Sequence, residues 1–206
     1  MEEAQTKASF GVRSDIMQTI RSFISVPLSP EVEHAARKLI QYLASDGDGI
    51  KWVPTDTLHL TLKFLGDVDN FEVPKICDVI RNAVADVEPF DLVFSGAGGM
   101  PSLDRPRVIC AGVQDESGSL CEIVKRLEVD LAELGFKQEP RDYRPHLTLG
   151  RPKGSRKKAS QALQAALGDE RRTNLGTMMV DHMQLMASFL DKHGPTYQVM
   201  DTIDFD

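Results

Sequence analysis

The tetrad His-Leu-Thr-Leu occurs twice in this chain of 206 residues, at His59–Leu62 and again at His146–Leu149, 87 positions apart. An imidazole titrates near pH 6.5, so of two such rings one can be neutral while the other is protonated. That pair suits in-line displacement at phosphorus, which needs a base on the attacking oxygen and an acid on the leaving oxygen, at opposite sides of the phosphate. Thr61 and Thr148 stand two residues beyond their histidines, which on a strand is the same face, where hydroxyls can donate to non-bridging oxygens as charge develops. Arg151, five residues after His146, adds a candidate bidentate phosphate contact. A single histidine on a strand is more often structural than catalytic, so the weight lies in the repetition. The leucines Leu60, Leu62, Leu147 and Leu149 belong to a core whatever the histidines do.

Both tetrads sit in alternating apolar runs that follow a helix and a turn. Around the first, alternation predicts His59, Thr61 and Lys63 on one face and Leu58, Leu60, Leu62 and Phe64 on the other. A strand is expected over Arg21–Leu28, then a helix capped by Ser29 with Pro30 at its first position and Val32, Ala36, Leu39, Ile40 and Leu43 as its apolar stripe. Gly47 and Gly49 are expected to end it. Further helices are predicted over Pro74–Val87, Ser119–Leu134 and Ala159–Leu167. Strands are predicted at Phe90–Phe94, Arg107–Val113, Met178–Ser188 and Tyr197–Phe205, with the glycines and prolines from Gly96 to Pro106 forming a connection. Interspersed strands and helices make the class α+β or α/β. The spacing of the tetrads implies an internal duplication. If two related lobes pack about a pseudo-two-fold axis, two imidazoles and two hydroxyls converge on one cleft.

Composition supports a globular chain, with 41% hydrophobic and 27% charged residues, and the length suits one domain or two small lobes sharing a core. Residues 1–19 are polar and weakly patterned and read as a mobile extension, leaving 20–206 as a single bilobal domain. No apolar run is long enough to cross a membrane, and the first residues do not form a signal peptide. Cys77, Cys110 and Cys121 are odd in number and lack Cys-x-x-Cys spacing, which favours a reducing, cytoplasmic compartment over a disulfide framework or zinc knuckle. The formal charge of −7 argues against attraction of polyanions to the whole surface. Any such site is local, and the cluster Arg141, Arg144, Arg151, Lys153, Arg156, Lys157 and Lys158 is the candidate, against the plainer reading of a solvated loop.

The remaining histidines carry less. His34 falls on a polar helix face, and His182 and His193 have no ligand spacing suited to zinc. Trp52 reads as a packing residue beside the first tetrad, and Phe23 as a candidate wall of the cleft.

The chain resembles the 2H phosphoesterase superfamily, and within it the RNA 2′,3′-cyclic phosphodiesterase or 2′-5′ RNA ligase branch. Besides the tetrads, the likeness rests on Arg21-Ser22-Phe23-Ile24-Ser25-Val26, Lys51-Trp52-Val53, the run from His59 to Gly66, Arg144-Pro145 and Gly194-Pro195-Thr196-Tyr197, and it extends from Arg21 to nearly the last residue. The resemblance implies a bilobal α+β fold, with two antiparallel sheets facing each other across a central cleft and helices outside. It implies hydrolysis of a ribose 2′,3′-cyclic phosphate to a 2′-phosphomonoester, with His59 and His146 as acid and base and Thr61 and Thr148 as phosphate ligands. Reversal would join RNA ends through a 2′-5′ linkage. The implied partners are RNA 3′ ends or small nucleotides bearing the cyclic phosphate, with no cofactor, metal, membrane or obligate protein partner. Two other readings compete. A nucleotide or RNA-end binding module of the same fold would be expected to have lost one His or Thr, whereas all four are present. A histidine-based metallohydrolase needs carboxylate or cysteine ligands that neither tetrad offers.

Overall fold

A computed structural model describes residues 19–45, 49–154, 158–190, 192 and 194–205. The expected mobile extension therefore lies outside the described residues, save Thr19, which opens the first strand. Strand β1 (Thr19–Pro27) leads to helix α1 (Pro30–Leu43). Ser29 accepts from the Val32 N–H, and all five residues of the predicted stripe are buried. A short strand β2 (Ile50–Trp52) and a one-turn 3-10 helix precede β3 (His59–Asp69), followed by α2 (Val73–Val84), β4 (Phe90–Met100) and β5 (Val108–Gln114). Helix α3 (Ser119–Glu133) ends at Gly135, whose φ of 92° lets its N–H and that of Phe136 close back on Ala132 and Leu131. Strand β6 (His146–Pro152), helix α4 (Gln161–Asp169), and strands β7 (Asn174–Val180), β8 (His182–Leu190) and β9 (Pro195–Asp204) complete the chain.

The strands form two wholly antiparallel sheets, ordered β3-β1-β8-β9 and β2-β6-β5-β4-β7. Without β2, the second order repeats the first position by position, so β3, β1, β8 and β9 correspond to β6, β5, β4 and β7. The two halves of the sequence are nevertheless not the two lobes. Strand β4, from the first half, lies beside β5, and β8, from the second, lies beside β1. Helices cross over as well: α2 and α3 touch β9 and β3, while α1 and α4 touch β7 and β4. Each lobe is thus completed by the other half, which explains why one continuous apolar core runs through the molecule.

Three predicted elements differ. The expected strand Met178–Ser188 is two strands in different sheets, broken at Asp181. The burial parity gives the reason: Met178 and Val180 are buried, then Met183 and Leu185, so the alternation slips by one across the break. The expected connection from Gly96 is still strand as far as Met100, because a bulge at Gly96 carries the ladder on. Gly96 has φ 69°, and a Cβ there would collide with the Arg171 carbonyl oxygen. Helix α1 stops at Leu43, with Ala44 as its cap, before the glycines expected to end it; Gly47 lies outside the described residues.

The residues just beyond the first tetrad also depart from alternation. Lys63 is buried, with 3% of its surface exposed, and Phe64 is 60% exposed, the reverse of the expected faces. Lys63 donates to Glu128 of α3 at 2.7 Å and to the Lys137 carbonyl at 3.0 Å, while Glu128 also accepts the Glu139 N–H. Removing one partner of such a pair leaves the other to bear its desolvation. Glu128→Ala strands the fully enclosed ammonium and is expected to cost about 3 kcal/mol. Lys63→Met leaves a carboxylate that water reaches and is expected to cost clearly less; urea denaturation of both variants checks the order.

Candidate active site

His59 and His146 are held in the same way. Each ring Nδ1 lies 2.8 Å from the carbonyl oxygen two residues earlier, Thr57 for His59 and Arg144 for His146. A carbonyl only accepts, so Nδ1 carries the proton, and in the neutral ring the lone pair sits on Nε2. The backbone carbonyl two residues before each ring thereby selects the tautomer whose free nitrogen can exchange a proton with a ligand. The two tetrad strands meet along β3 and β6, and Tyr143, in the lead to the second tetrad, donates its hydroxyl to the Thr61 carbonyl at 2.9 Å.

A bulge falls on the last residue of each tetrad. Ser25 pairs with Thr61 and Ile24 with Lys63, so Leu62 is skipped; Cys110 pairs with Thr148 and Ile109 with Gly150, so Leu149 is skipped. The residue after each bulge turns to the buried side and the next returns to the cleft. Lys63 and Gly150 take the first position, Phe64 and Arg151 the second. Arg151 stands an odd number of residues from His146, which strict alternation would send to the far face; the bulge brings it back. Gly150 accommodates the turn because a Cβ there would lie 2.8 Å from Ile50 Cγ2 and 2.9 Å from Trp52 Cε3. Trp52 is accordingly a packing residue.

Aromatic rings enclose His59. Phe23 stacks on it at 4.7 Å between centroids, Tyr197 meets it edge-on at 5.2 Å, and Phe64 lies 6.0 Å from Phe23. Phe23, itself buried, therefore backs the His59 ring and does not line the cavity beside it. Burial pushes the His59 imidazole below its ordinary value, outweighing the Thr57 carbonyl, which favours the protonated ring. Burial also raises the Tyr197 hydroxyl, against the opposing charges of Arg151 and Arg21, which places both guanidiniums within electrostatic reach of that ring. Sequence reading assigns neither Tyr197 nor Tyr143 a role of its own, since nothing in residue type or spacing links them to the tetrads.

A cavity of about 380 Å³ opens beside His59, lined by Ser25, Pro27, Asp56, Gln184, Met186 and Tyr197 among others. A larger hollow of about 580 Å³, walled by Asp86, Glu88, Glu122 and Arg126, includes no tetrad residue, so its size does not connect it with this chemistry. Among the described residues no three His, Cys, Asp or Glu side chains are grouped to hold a metal ion. No described helix is long and apolar enough to cross a membrane. Of the basic cluster, Arg141, Arg144, Arg151 and Lys153 form no ion pair among the described residues, Lys158 pairs with Asp104, and Arg156 and Lys157 lie outside them. His34 is exposed, and His182 pairs with Asp181 at 2.6 Å.

The family described as LigT like Phosphoesterase matches this chain twice, over residues 26–110 and 112–197, one tetrad in each. The Methanothermobacter thermautotrophicus protein named RNA 2′,3′-cyclic phosphodiesterase is 32% identical over 182 residues, covering 88% of this chain and 97% of its own. The Aeropyrum pernix protein of the same name is 33% identical, covering 79% and 90%. Among solved structures, TT0787 of Thermus thermophilus superposes with a TM-score of 0.74 at 25% identity, over 90% of this chain and 98% of its own. Escherichia coli LigT complexed with 3′-AMP gives 0.72 at 20% identity over 91% and 99%, a likeness of fold.

The packing around His59 makes a titration prediction. Its proton NMR midpoint is expected below the ordinary value of about 6.5, and Phe23→Ala, which admits water to the ring, is expected to move it upward. The same depression means that the folded state resists protonating His59, so this group subtracts stability as pH falls from the unfolded value through the folded one.

Proposed function

Because the chain belongs to the LigT like Phosphoesterase family, we propose that it hydrolyses RNA 2′,3′-cyclic phosphate ends to 2′-phosphomonoesters with His59 and His146 as its acid–base pair. The observation that carries this reading is the repeated anchoring of the two rings, each with Nδ1 tied to the carbonyl two residues back and Nε2 left for proton transfer. Activities named for the relatives agree with it.

In this mechanism His146 takes a proton from water, the water oxygen bonds to phosphorus, and the bond from phosphorus to the ribose 3′ oxygen breaks. His59 delivers its proton to that departing oxygen, so the phosphate remains on the 2′ oxygen. Thr61 and Thr148 donate to the non-bridging oxygens, and Arg151 offsets their growing charge. The bound phosphate itself favours protonated His59, countering the burial that depresses the free ring. Release of strain in the five-membered cyclic ester, with two proton transfers, supplies the driving force and charge balance, so we infer that no metal ion takes part. With a 5′-hydroxyl in place of water, the same steps give a 2′-5′ linkage.

Recognition centres on the terminal nucleotide. The cations Arg141, Arg144, Arg151 and Lys153, without ion-pair partners among the described residues, supply local positive charge on a chain whose net charge is −7.

The test is turnover of a short RNA ending in a 2′,3′-cyclic phosphate, in excess EDTA, with the product's phosphate position determined. Wild type is expected to give the 2′-phosphate, and His59→Ala and His146→Ala each to lose roughly 100- to 10,000-fold in rate. Their residual pH profiles are expected to lose opposite limbs. Sensitivity to chelator, or an undiminished rate in either variant, overturns the mechanism.

A further inference from the structure

The two imidazoles are oriented alike, but the carbonyls that orient them are not held alike. Thr57, whose carbonyl faces His59 Nδ1, closes a one-turn 3-10 helix on itself: its N–H and its hydroxyl both donate to the Pro54 carbonyl, at 3.0 and 2.8 Å. Arg144, whose carbonyl faces His146 Nδ1, belongs to residues 134–145, which form neither helix nor strand. Backbone of that kind has no ladder to locate it, so its position depends on contacts with other elements.

Those contacts are unevenly placed. Lys63 donates to the Lys137 carbonyl, the Gln138 amide donates to the Glu128 carbonyl, and the Glu139 N–H donates to the Glu128 carboxylate, which fixes the first part of the segment against β3 and α3. Beyond Glu139, among the described residues, one hydrogen bond ties the segment to another element: the Tyr143 hydroxyl donates to the Thr61 carbonyl at 2.9 Å. Its acceptor is firm. Strand β3 is laddered to β1 along its length, and Leu60 and Leu62, on either side of Thr61, are buried in the core. As an edge strand, β3 leaves its other side free of a ladder. The Tyr143 ring packs against the core, and burial, with Cys121 and Asp115 adding to it, raises the hydroxyl above the ordinary tyrosine value, so it keeps its proton and donates at neutral pH. Three residues before His59 the repeat has Asp56, a carboxylate, which cannot donate in this way.

We propose that Tyr143 is a positioning residue for His146: its hydroxyl locates the irregular lead whose next carbonyl, that of Arg144, sets the tautomer and direction of the ring. The same bond ties the His146 lead to Thr61, so the ring and a phosphate ligand from the other tetrad keep a fixed separation. The consequence for catalysis rests on the function proposed above; the effect on the ring does not. Because Tyr143 acts through the backbone and does not touch substrate, loss of its hydroxyl is expected to disturb proton transfer and leave binding intact.

Tyr143→Phe tests this, since it keeps the ring and its packing and removes the hydroxyl alone. Nitrogen-15 NMR at about pH 8, where both rings are neutral, reads the tautomer of each histidine separately. Both are expected in the Nδ1–H form in wild type. In Tyr143→Phe the His59 signals are expected to stay, while the two His146 nitrogen shifts draw together as tautomers mix. With a cyclic-phosphate substrate, kcat is expected to fall roughly three- to tenfold at unchanged KM, the scale of one neutral hydrogen bond, and Tyr143→Phe is expected to cost nothing further in the His146→Ala background. Unmoved His146 shifts, an equal change in both rings, an undiminished kcat, a rise in KM alone, a full further loss in His146→Ala or a variant that does not fold overturns the proposal. The expected nitrogen shifts in a protein whose wild type leaves cyclic phosphates intact uphold the positioning of His146 and overturn the hydrolytic reading alone.

Discussion

The constraint on which the rest depends is the two-residue period of a strand and its interruption at the last residue of each tetrad. Period two puts histidine and threonine on one face and commits the alternating leucines to the other, where they are fully or almost fully buried. Because those leucines fix the strand against the core, the imidazole and hydroxyl are fixed with them. The bulge then resets the phase. It sends Lys63 into an ion pair with Glu128 and returns Phe64 and Arg151 to the cleft, so one local irregularity, used twice, sets both the packing behind each strand and the cationic and aromatic groups before it.

Around these strands the chain exchanges elements between its halves. A duplicated sequence could fold as two independent lobes joined by a linker, whose relative position would then vary. Here β4 and β8 each complete the other half's sheet, so neither sheet is whole without both halves. The Tyr143 to Thr61 hydrogen bond and the clamp of Lys63, Glu128 and Glu139 add direct ties between one tetrad strand and the chain that leads to the other. The mechanism proposed above requires a nearly constant distance between acid and base, and an interlocked fold suits that requirement.

Within the repeat, the useful features are those the repeat does not share. His59 is enclosed by Phe23 and Tyr197, and Tyr143 stands before the second tetrad where Asp56 stands before the first. Equal anchoring gives both rings the same tautomer, while burial lowers the proton affinity of the His59 ring.

Much was legible in the sequence because it depends on neighbours along the chain. Capping by Ser29 and Pro30, the stripe of α1, the helix that begins at Ser119 and the pairing of His with Thr on one strand face all follow from spacing and residue type. So did the duplication, through an exact repeat of four letters. Three things required the tertiary structure. The bulges, which decide the sides of Lys63, Phe64 and Arg151, arise from the register between β1 and β3 and between β5 and β6, which no single strand encodes. The break at Asp181 sends β7 and β8 to different sheets, and only their partners reveal it. The hydrogen bond from Tyr143 to Thr61 joins residues from two distant stretches of chain. Sequence determined which groups are available and which way each isolated strand faces; pairing between strands decided which of those groups share a cleft, because register is a property of two strands' backbones and not of one.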